Sequence, residues 1–201
     1  MRELIKLAKP TYTQLDLLEH FYSIHNEESL NLTAIKDRES FYVKHYLDSI
    51  YIFKKLDLKF NKLIDIGSGG GFPGIPIAIF YPNSEVILIE SKIKKCKFLE
   101  NAIKRCGINN VKIINERAEK IDHLKADIIT SRAVGKISYI LNITKQMYKK
   151  NTKLILYKGE NYQNEIKAAR NCLKKNKKYD IETVRVDETF KRTYIIININ
   201  N

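Results

Sequence analysis

Residues Leu63 to Gly74 read LIDIGSGGGFPG: a short apolar run, four glycines within five positions, then Phe72 and Pro73 opening a second apolar stretch. That order predicts a strand, a tight turn and a helix start, which aims backbone N–H groups and the positive end of a helix at a ligand. A second apolar run, EVILIE, closes on Glu90. It lies about twenty residues beyond the glycines, where a carboxylate can accept two hydrogen bonds from ribose hydroxyls. Capping of the following helix is the competing reading of Glu90. The chemistry on offer is the holding of a nucleoside. Which nucleoside depends on the register: Gly69, Gly71 and Gly74 fit the dinucleotide spacing G-x-G-x-x-G, whereas Gly67, Gly69 and Gly71 fit G-x-G-x-G.

The elements that position these residues alternate from Leu63 onward. LIDI, EVILI, VKII, ADIIT and TKLILY are short β-branched runs, separated by amphipathic segments at about 73 to 81, 91 to 106, 136 to 150 and 162 to 176. Such alternation predicts right-handed crossovers and a parallel sheet that binds ligands at the carboxyl ends of its strands. DIETVRV and TYIIIN are joined only by Asp187 to Arg192, too short for a crossover, so one of the two runs antiparallel. A mostly parallel seven-stranded sheet with its last strand reversed resembles the class I S-adenosylmethionine-dependent methyltransferase fold, an α/β, Rossmann-like architecture, whereas the dinucleotide fold is parallel through six strands. The G-x-G-x-G register, which resembles the first loop of those methyltransferases, is therefore preferred.

Upstream, Leu4, Leu7 and Ala8, then Leu15, Leu17, Leu18 and Phe21, recur at helical spacing. They predict an N-terminal helical cap over residues 1–60, ahead of a methyltransferase domain at 61–201. From a capping Asp37, a longer helix is expected to carry Val43, Leu47 and Ile50 along one stripe, with His45, Asp48 and Ser49 on a neighbouring face. His45 and Asp48 have two open readings. Either they bind a guanine edge, Asp48 accepting from the ring N–H and amino group, or they pin the cap to the domain by hydrogen bonds.

Two strand ends complete the candidate site. Asn115-Glu116-Arg117-Ala118-Glu119 follows the third strand, where class I methyltransferases hold adenine. Backbone groups at Ala118 and the Glu119 side chain can bond the adenine edge, with Phe72 or Ile93 packed on its face; a solvated charged loop is the alternative. The fourth strand ends ADIITSRAV, which puts Ser131 and Arg132 where methyl donor meets acceptor. That loop lacks the Asn/Asp-Pro-Pro-aromatic signature of methylases acting on exocyclic amines. Nor does Cys96, Cys106 or Cys172 fall on a strand-end loop, where a thiolate nucleophile would stand. A ring nitrogen such as guanine N7 already presents a lone pair and needs only alignment, which can supply roughly 7–11 kcal/mol.

Composition points to the partner. Thirty-six basic residues against 23 acidic ones give a net charge of +13, suited to a polyanion. A chain this rich in Ile, Asn and Lys also invites a codon-usage explanation, but the charge is clustered: eleven basic residues lie between Lys145 and Lys178 against Glu160 and Glu165. Lys92, Lys94, Lys95 and Lys97 form a second cluster. The cysteines and the four histidines are scattered, so no metal site is expected. MRELIKLAKP has no apolar signal segment and no run is long enough to span a membrane, so a cytoplasmic monomer is expected.

Set in order, Asn31-Leu32-Thr33, Lys44-His45-Tyr46-Leu47-Asp48-Ser49, Asp65 to Pro76, Glu90-Ser91 with Lys95, Phe98-Leu99, Arg117-Ala118-Glu119, Ser131-Arg132-Ala133 and Tyr157-Lys158-Gly159 resemble one family closely. It is the bacterial small-subunit ribosomal RNA guanine-N7 methyltransferases, also called the glucose-inhibited division protein B family. The resemblance implies donor contacts at Gly67, Phe72, Ala118, Glu119 and Arg132, with Gly69, Gly71 and Glu90 completing the site for S-adenosyl-L-methionine. It also implies transfer to N7 of one guanine in 16S ribosomal RNA; Arg132 and, on the guanine-edge reading, His45 and Asp48 are the catalytic candidates. Basic residues at Lys44, Lys158, Lys174, Lys175, Lys177 and Lys178 are the expected RNA contacts, the last four on charge alone. A small-molecule methyltransferase and a non-catalytic RNA-binding module are the alternatives.

Overall fold

Seven runs rich in Ile, Val and Leu form one sheet: Lys62–Ile66 (β1), Glu85–Ile89 (β2), Val111–Ile114 (β3), Ala126–Arg132 (β4), Tyr148–Lys158 (β5), Tyr179–Val186 (β6) and Arg192–Ile199 (β7). The structure is a computed structural model and describes residues 1–35, 37–159, 162–173, 179–186 and 191–200. Strand order is β3-β2-β1-β4-β5-β7-β6. β1 to β5 are mutually parallel, and β7 lies between β5 and β6, antiparallel to both. The reversed last strand follows from the short β6–β7 connection, as expected.

Period-two alternation sends Leu63, Val86, Leu88, Ile128, Ile155 and Ile196 to one face and Ile64, Ile87, Ile89, Ile129, Leu154 and Ile197 to the other. Each such side chain, fully buried, contributes roughly 1.5–3 kcal/mol. The first face is covered by Arg2–Ala8 (α1), Tyr12–Glu27 (α2), Asp48–Lys55 (α4), Gly74–Phe80 (α5) and Ile93–Cys106 (α6); the second by Ile137–Thr144 (α7) and Tyr162–Leu173 (α8). The amino-terminal helices therefore share one core with the sheet. Polar ties reinforce this: Tyr157 Oη donates to Ser49 O at 2.7 Å and His25 Nε2 lies 2.9 Å from Gly70 O.

Register lines up the strand ends that matter. Ile66 pairs with Ile89 and Ser131, Ile89 pairs with Ile114, and Arg132 pairs with Tyr157. The order reverses between β1 and β4, so the crevice for ligands opens beyond Ile66 and Arg132.

Two helices differ from expectation. The helix from Asp37 is not continuous: Arg38–Phe41 (α3) gives way to a π-helical stretch, Tyr42–Leu47, before α4. The wider turn rotates His45 and Asp48 relative to α3, a device common at functional sites. The segment expected to be helical to 150 stops at Thr144, passes through a 3₁₀ turn at Lys145–Met147 and enters β5 at Tyr148. Thr152 explains the early strand, its hydroxyl donating to Ala126 O at 2.7 Å while accepting Lys149 N–H at 2.9 Å. Among the described residues no helix is long and apolar enough to cross a membrane, and no group of His, Cys, Asp or Glu is arranged to hold a metal ion.

Candidate active site

The glycine loop closes on itself more than its sequence suggests. Gly67 and Ser68 donate to Ile89 O at 2.8 and 3.2 Å, Gly71 and Phe72 to Ser68 O at 2.7 and 3.2 Å, and Gly69 to Glu90 Oε2 at 3.0 Å. A turn this tight satisfies most of its amides internally, so few of them are left to aim at a ligand. What the loop offers is close approach. Gly67 has φ 69°, and a Cβ there would lie 2.5 Å from Val134 Cγ2.

Glu90 makes the capping contact and also ties the strand end to the glycine loop. It is buried, its Oε1 accepts Lys92 N–H at 2.8 Å ahead of α6, and its Oε2 holds the loop through Gly69. Each carboxylate oxygen keeps a second lone pair for a ribose hydroxyl. Asn115 Nδ2 donates to Glu90 O at 2.9 Å and fixes the strand end. Beside it, Ile66, Gly67, Ile89, Ser91, Glu116 to Glu119, Val134 and Tyr139 line a narrow cleft. Glycine backbone, strand-end carboxylate and apolar floor fit the adenosine part of S-adenosylmethionine. Glu90→Ala should weaken that binding by roughly 1.5–3 kcal/mol, the worth of a charge-assisted hydrogen bond, read by calorimetry. An unchanged affinity would confine Glu90 to capping.

On the other side of the β4 end lies a second cleft, of about 780 Å³. Ala133, at φ 60°, turns the chain so that Arg132 faces this cleft while Val134 faces the first. Its walls carry Lys44, Arg132, Lys158, Lys191 and Arg192, with Asp48 as the one carboxylate among the described lining residues. Asp48 is 0 % exposed. Arg192 Nε donates to its Oδ1 at 2.8 Å and Nη2 to its Oδ2 at 2.7 Å; Arg132 Nη1 reaches Oδ2 at 3.2 Å, and Tyr194 Oη reaches Oδ1 at 3.0 Å.

His45 supports Arg132 from the cap. Its ring stacks on Phe72 at 4.3 Å and 9°, Nδ1 lies 3.1 Å from Arg132 Nη2, and Nε2 lies 2.7 Å from Thr33 Oγ1. A guanidinium has no lone pair to offer, so we assign Nδ1 as acceptor and Nε2–H as donor to Thr33. Burial, then the Arg132 charge, lowers the His45 pKa to about 3. The unfolded chain takes up a proton near pH 6.5 and the folded chain does not, so this contribution to stability is complete above pH 6.5 and lost as pH falls toward 3. The melting temperature of the native chain should therefore fall faster than that of His45→Gln across that window; parallel curves would contradict it.

The family model for rRNA small subunit methyltransferase G matches residues 14–194. The chain belongs to this family. Similar relatives are the ribosomal RNA small subunit methyltransferase G of Mesoplasma florum, 41% identical over 167 residues covering 81% of this chain and 70% of the relative, and that of Mycoplasma capricolum, 38% identical over 175 residues covering 85% and 74%. Among solved structures, a mutant of MtNAS in complex with S-adenosylmethionine superposes with a TM-score of 0.63 at 15% identity, covering 94% of this chain and 72% of that one. A precorrin-6y C5,15-methyltransferase from Geobacter metallireducens gives 0.61 at 17%, covering 87% and 95%. At those identities the likeness is one of fold, and the fold is the class I methyltransferase fold.

Within this chain, several expected site residues sit differently from their expected roles. The Asp48 carboxylate is held by two arginines and a tyrosine from β4 and β7, contacts that fit the pinning reading. His45 has both nitrogens engaged, with Arg132 and Thr33, which fits the pinning reading too. The Phe72 ring is buried among Phe21, Phe41, His25 and His45, under the Arg132 guanidinium at 5.1 Å, so it cannot pack on adenine. Ile93, by contrast, is exposed beside the Glu90 end. Lys158 is 13 % exposed at its side chain; its ammonium donates to Gly135 O and to Glu165 Oε2 at 2.8 Å, holding α8 rather than standing free for a phosphate. Lys44 is exposed at the cleft mouth. Lys174, Lys175, Lys177 and Lys178 lie outside the described residues. Sequence reasoning misses Arg192 and Tyr194 and gives Thr33 no role of its own; the one available signal for Arg192 is a guanidinium at the start of an otherwise apolar final strand.

Proposed function

We propose that the chain methylates N7 of a guanine in 16S ribosomal RNA, with S-adenosyl-L-methionine as donor. The observation that carries this reading is the pair of clefts meeting across Arg132-Ala133-Val134, one lined for an adenine nucleoside and the other by cations suited to a nucleotide. S-adenosylmethionine supplies a methyl group on a sulfonium that needs no further activation. Glu90 and the Gly67 turn hold the ribose side, and Ala118 and Glu119 face the base. Arg132, fixed by His45 and Asp48, orients the donor's methionine end or a neighbouring phosphate. Lys44 and Arg192 attract the RNA backbone.

The choice of N7 follows from what the cation-lined cleft lacks among the described residues: a side chain ready to take a proton. His45 stays neutral with both nitrogens occupied, and the Asp48 carboxylate is saturated. A ring nitrogen with a free lone pair loses no proton on attack, so such a cleft suits it, whereas an exocyclic amine would need a base. On this reading the chain acts in the cytoplasm, where ribosomal subunits are, and acts as a monomer. Incubating the purified chain with methyl-labelled donor and either naked 16S RNA or small subunits, then digesting to nucleosides, tests the reading. Label in 7-methylguanosine supports it; label in a ribose or an exocyclic amine overturns it.

A further inference from the structure

The adenosine-side cleft is narrower than the group assigned to it. Its volume is about 90 Å³, whereas ligand pockets run from roughly 300 Å³ upward. One wall is fixed, since Ile66, Ile89, Ala118 and Ile143 are buried in the core. The opposite side carries Tyr139, a large apolar ring left 43 % exposed. It projects from the first turn of α7 back over Gly135, where the missing side chain makes room: a Cβ at Gly135 would lie 2.9 Å from Tyr139 Cδ1. Among the described residues its hydroxyl has no hydrogen-bond partner, so nothing polar holds the ring in place.

We propose that Tyr139 is the movable wall of this cleft, swinging off Gly135 to admit a purine nucleoside and then lying on the face of the base. The inference rests on reading the cleft as the S-adenosylmethionine site and adds the residue that opens and lines it. Stacking needs only a π-face, so Phe or Trp should serve and Ala should not. Tyr139 is a binding residue in this account and takes no part in the chemistry.

The chain contains no tryptophan, so Tyr139→Trp introduces a single indole at the cleft. S-adenosylhomocysteine, the demethylated donor, is the probe. Its addition should change the indole emission saturably, with a midpoint that agrees with calorimetry on the same variant. Tyr139→Ala should raise the dissociation constant by about fivefold to a hundredfold, the effect of losing one base–aromatic stack. Tyr139→Phe should stay within about twofold of the native chain, because the hydroxyl makes no bond to lose. Native-like binding by Tyr139→Ala overturns the proposal, as does calorimetric binding to Tyr139→Trp with no change in emission. If the native chain itself binds no S-adenosylhomocysteine, the reading of the cleft fails and the role of Tyr139 fails with it. Thermal melts of all three variants should match the native chain, since the ring lies outside the core.

Discussion

Asp48→Ala should lower the unfolding free energy by about 3 kcal/mol, the low end of the loss when one partner of a buried ion pair is removed. The low end applies because the Arg132 and Arg192 side chains keep 15% and 22% exposure, while Asp48 has none. Removing the carboxylate leaves two guanidiniums facing each other across the space it occupied, and leaves the Tyr194 hydroxyl with Asp48 O as its remaining partner there. For a chain of this length that loss corresponds to a melting temperature about 6–12 °C lower. Asp48→Asn should fall between the two, since it keeps the shape and loses the charge. Urea unfolding of the three proteins reads the result, and a loss under about 0.5 kcal/mol would mean that Asp48 does not tie the cap to β4 and β7.

Arg132→Ala should show the opposite pattern, with stability nearly intact and turnover reduced about a hundredfold, the effect of misplacing a reacting group. Stability survives because Asp48 retains both Arg192 contacts and Tyr194. Turnover falls because Arg132 is the one side chain among the described residues that touches the cap through His45 and Asp48 while standing at the junction of the two clefts. Arg132→Lys should rescue little: a single ammonium cannot span His45 Nδ1 and Asp48 Oδ2 as a planar fork does. Single-turnover kinetics beside thermal melts separates the cases. A variant that melts like the native chain and turns over at the native rate would remove Arg132 from the mechanism.

How much of this is legible in the sequence depends on sequence distance. The sheet is readable because apolar runs alternate with amphipathic ones, and because Asp187 to Arg192 is too short for a crossover. The glycine loop and Glu90 are readable because each carries its geometry locally. The fate of Asp48 is not: its partner Arg192 lies 144 residues away and meets it only once β7 has inserted beside β5. Lys158 looks like a free cation for a similar reason, its partner Glu165 being an ordinary helix residue until α8 folds back beside the β5 end. The π-helical turn is hidden because Tyr42–Leu47 has the apolar spacing of an α-helix, while the contacts it makes, His45 stacked on Phe72 and the Tyr46 hydroxyl donating to Leu18 O, are distant in sequence.

A guanine ring nitrogen can be methylated at a site that supplies alignment and no base. Methylation at N7 leaves a cationic ring that borohydride reduces, after which aniline cleaves the RNA chain at that nucleotide. Unmodified 16S ribosomal RNA, treated with the purified chain and S-adenosylmethionine and then with borohydride and aniline, should be cut at one guanosine, and the cut should vanish without donor. RNA that has incorporated methyl groups yet resists that cleavage would contradict the account.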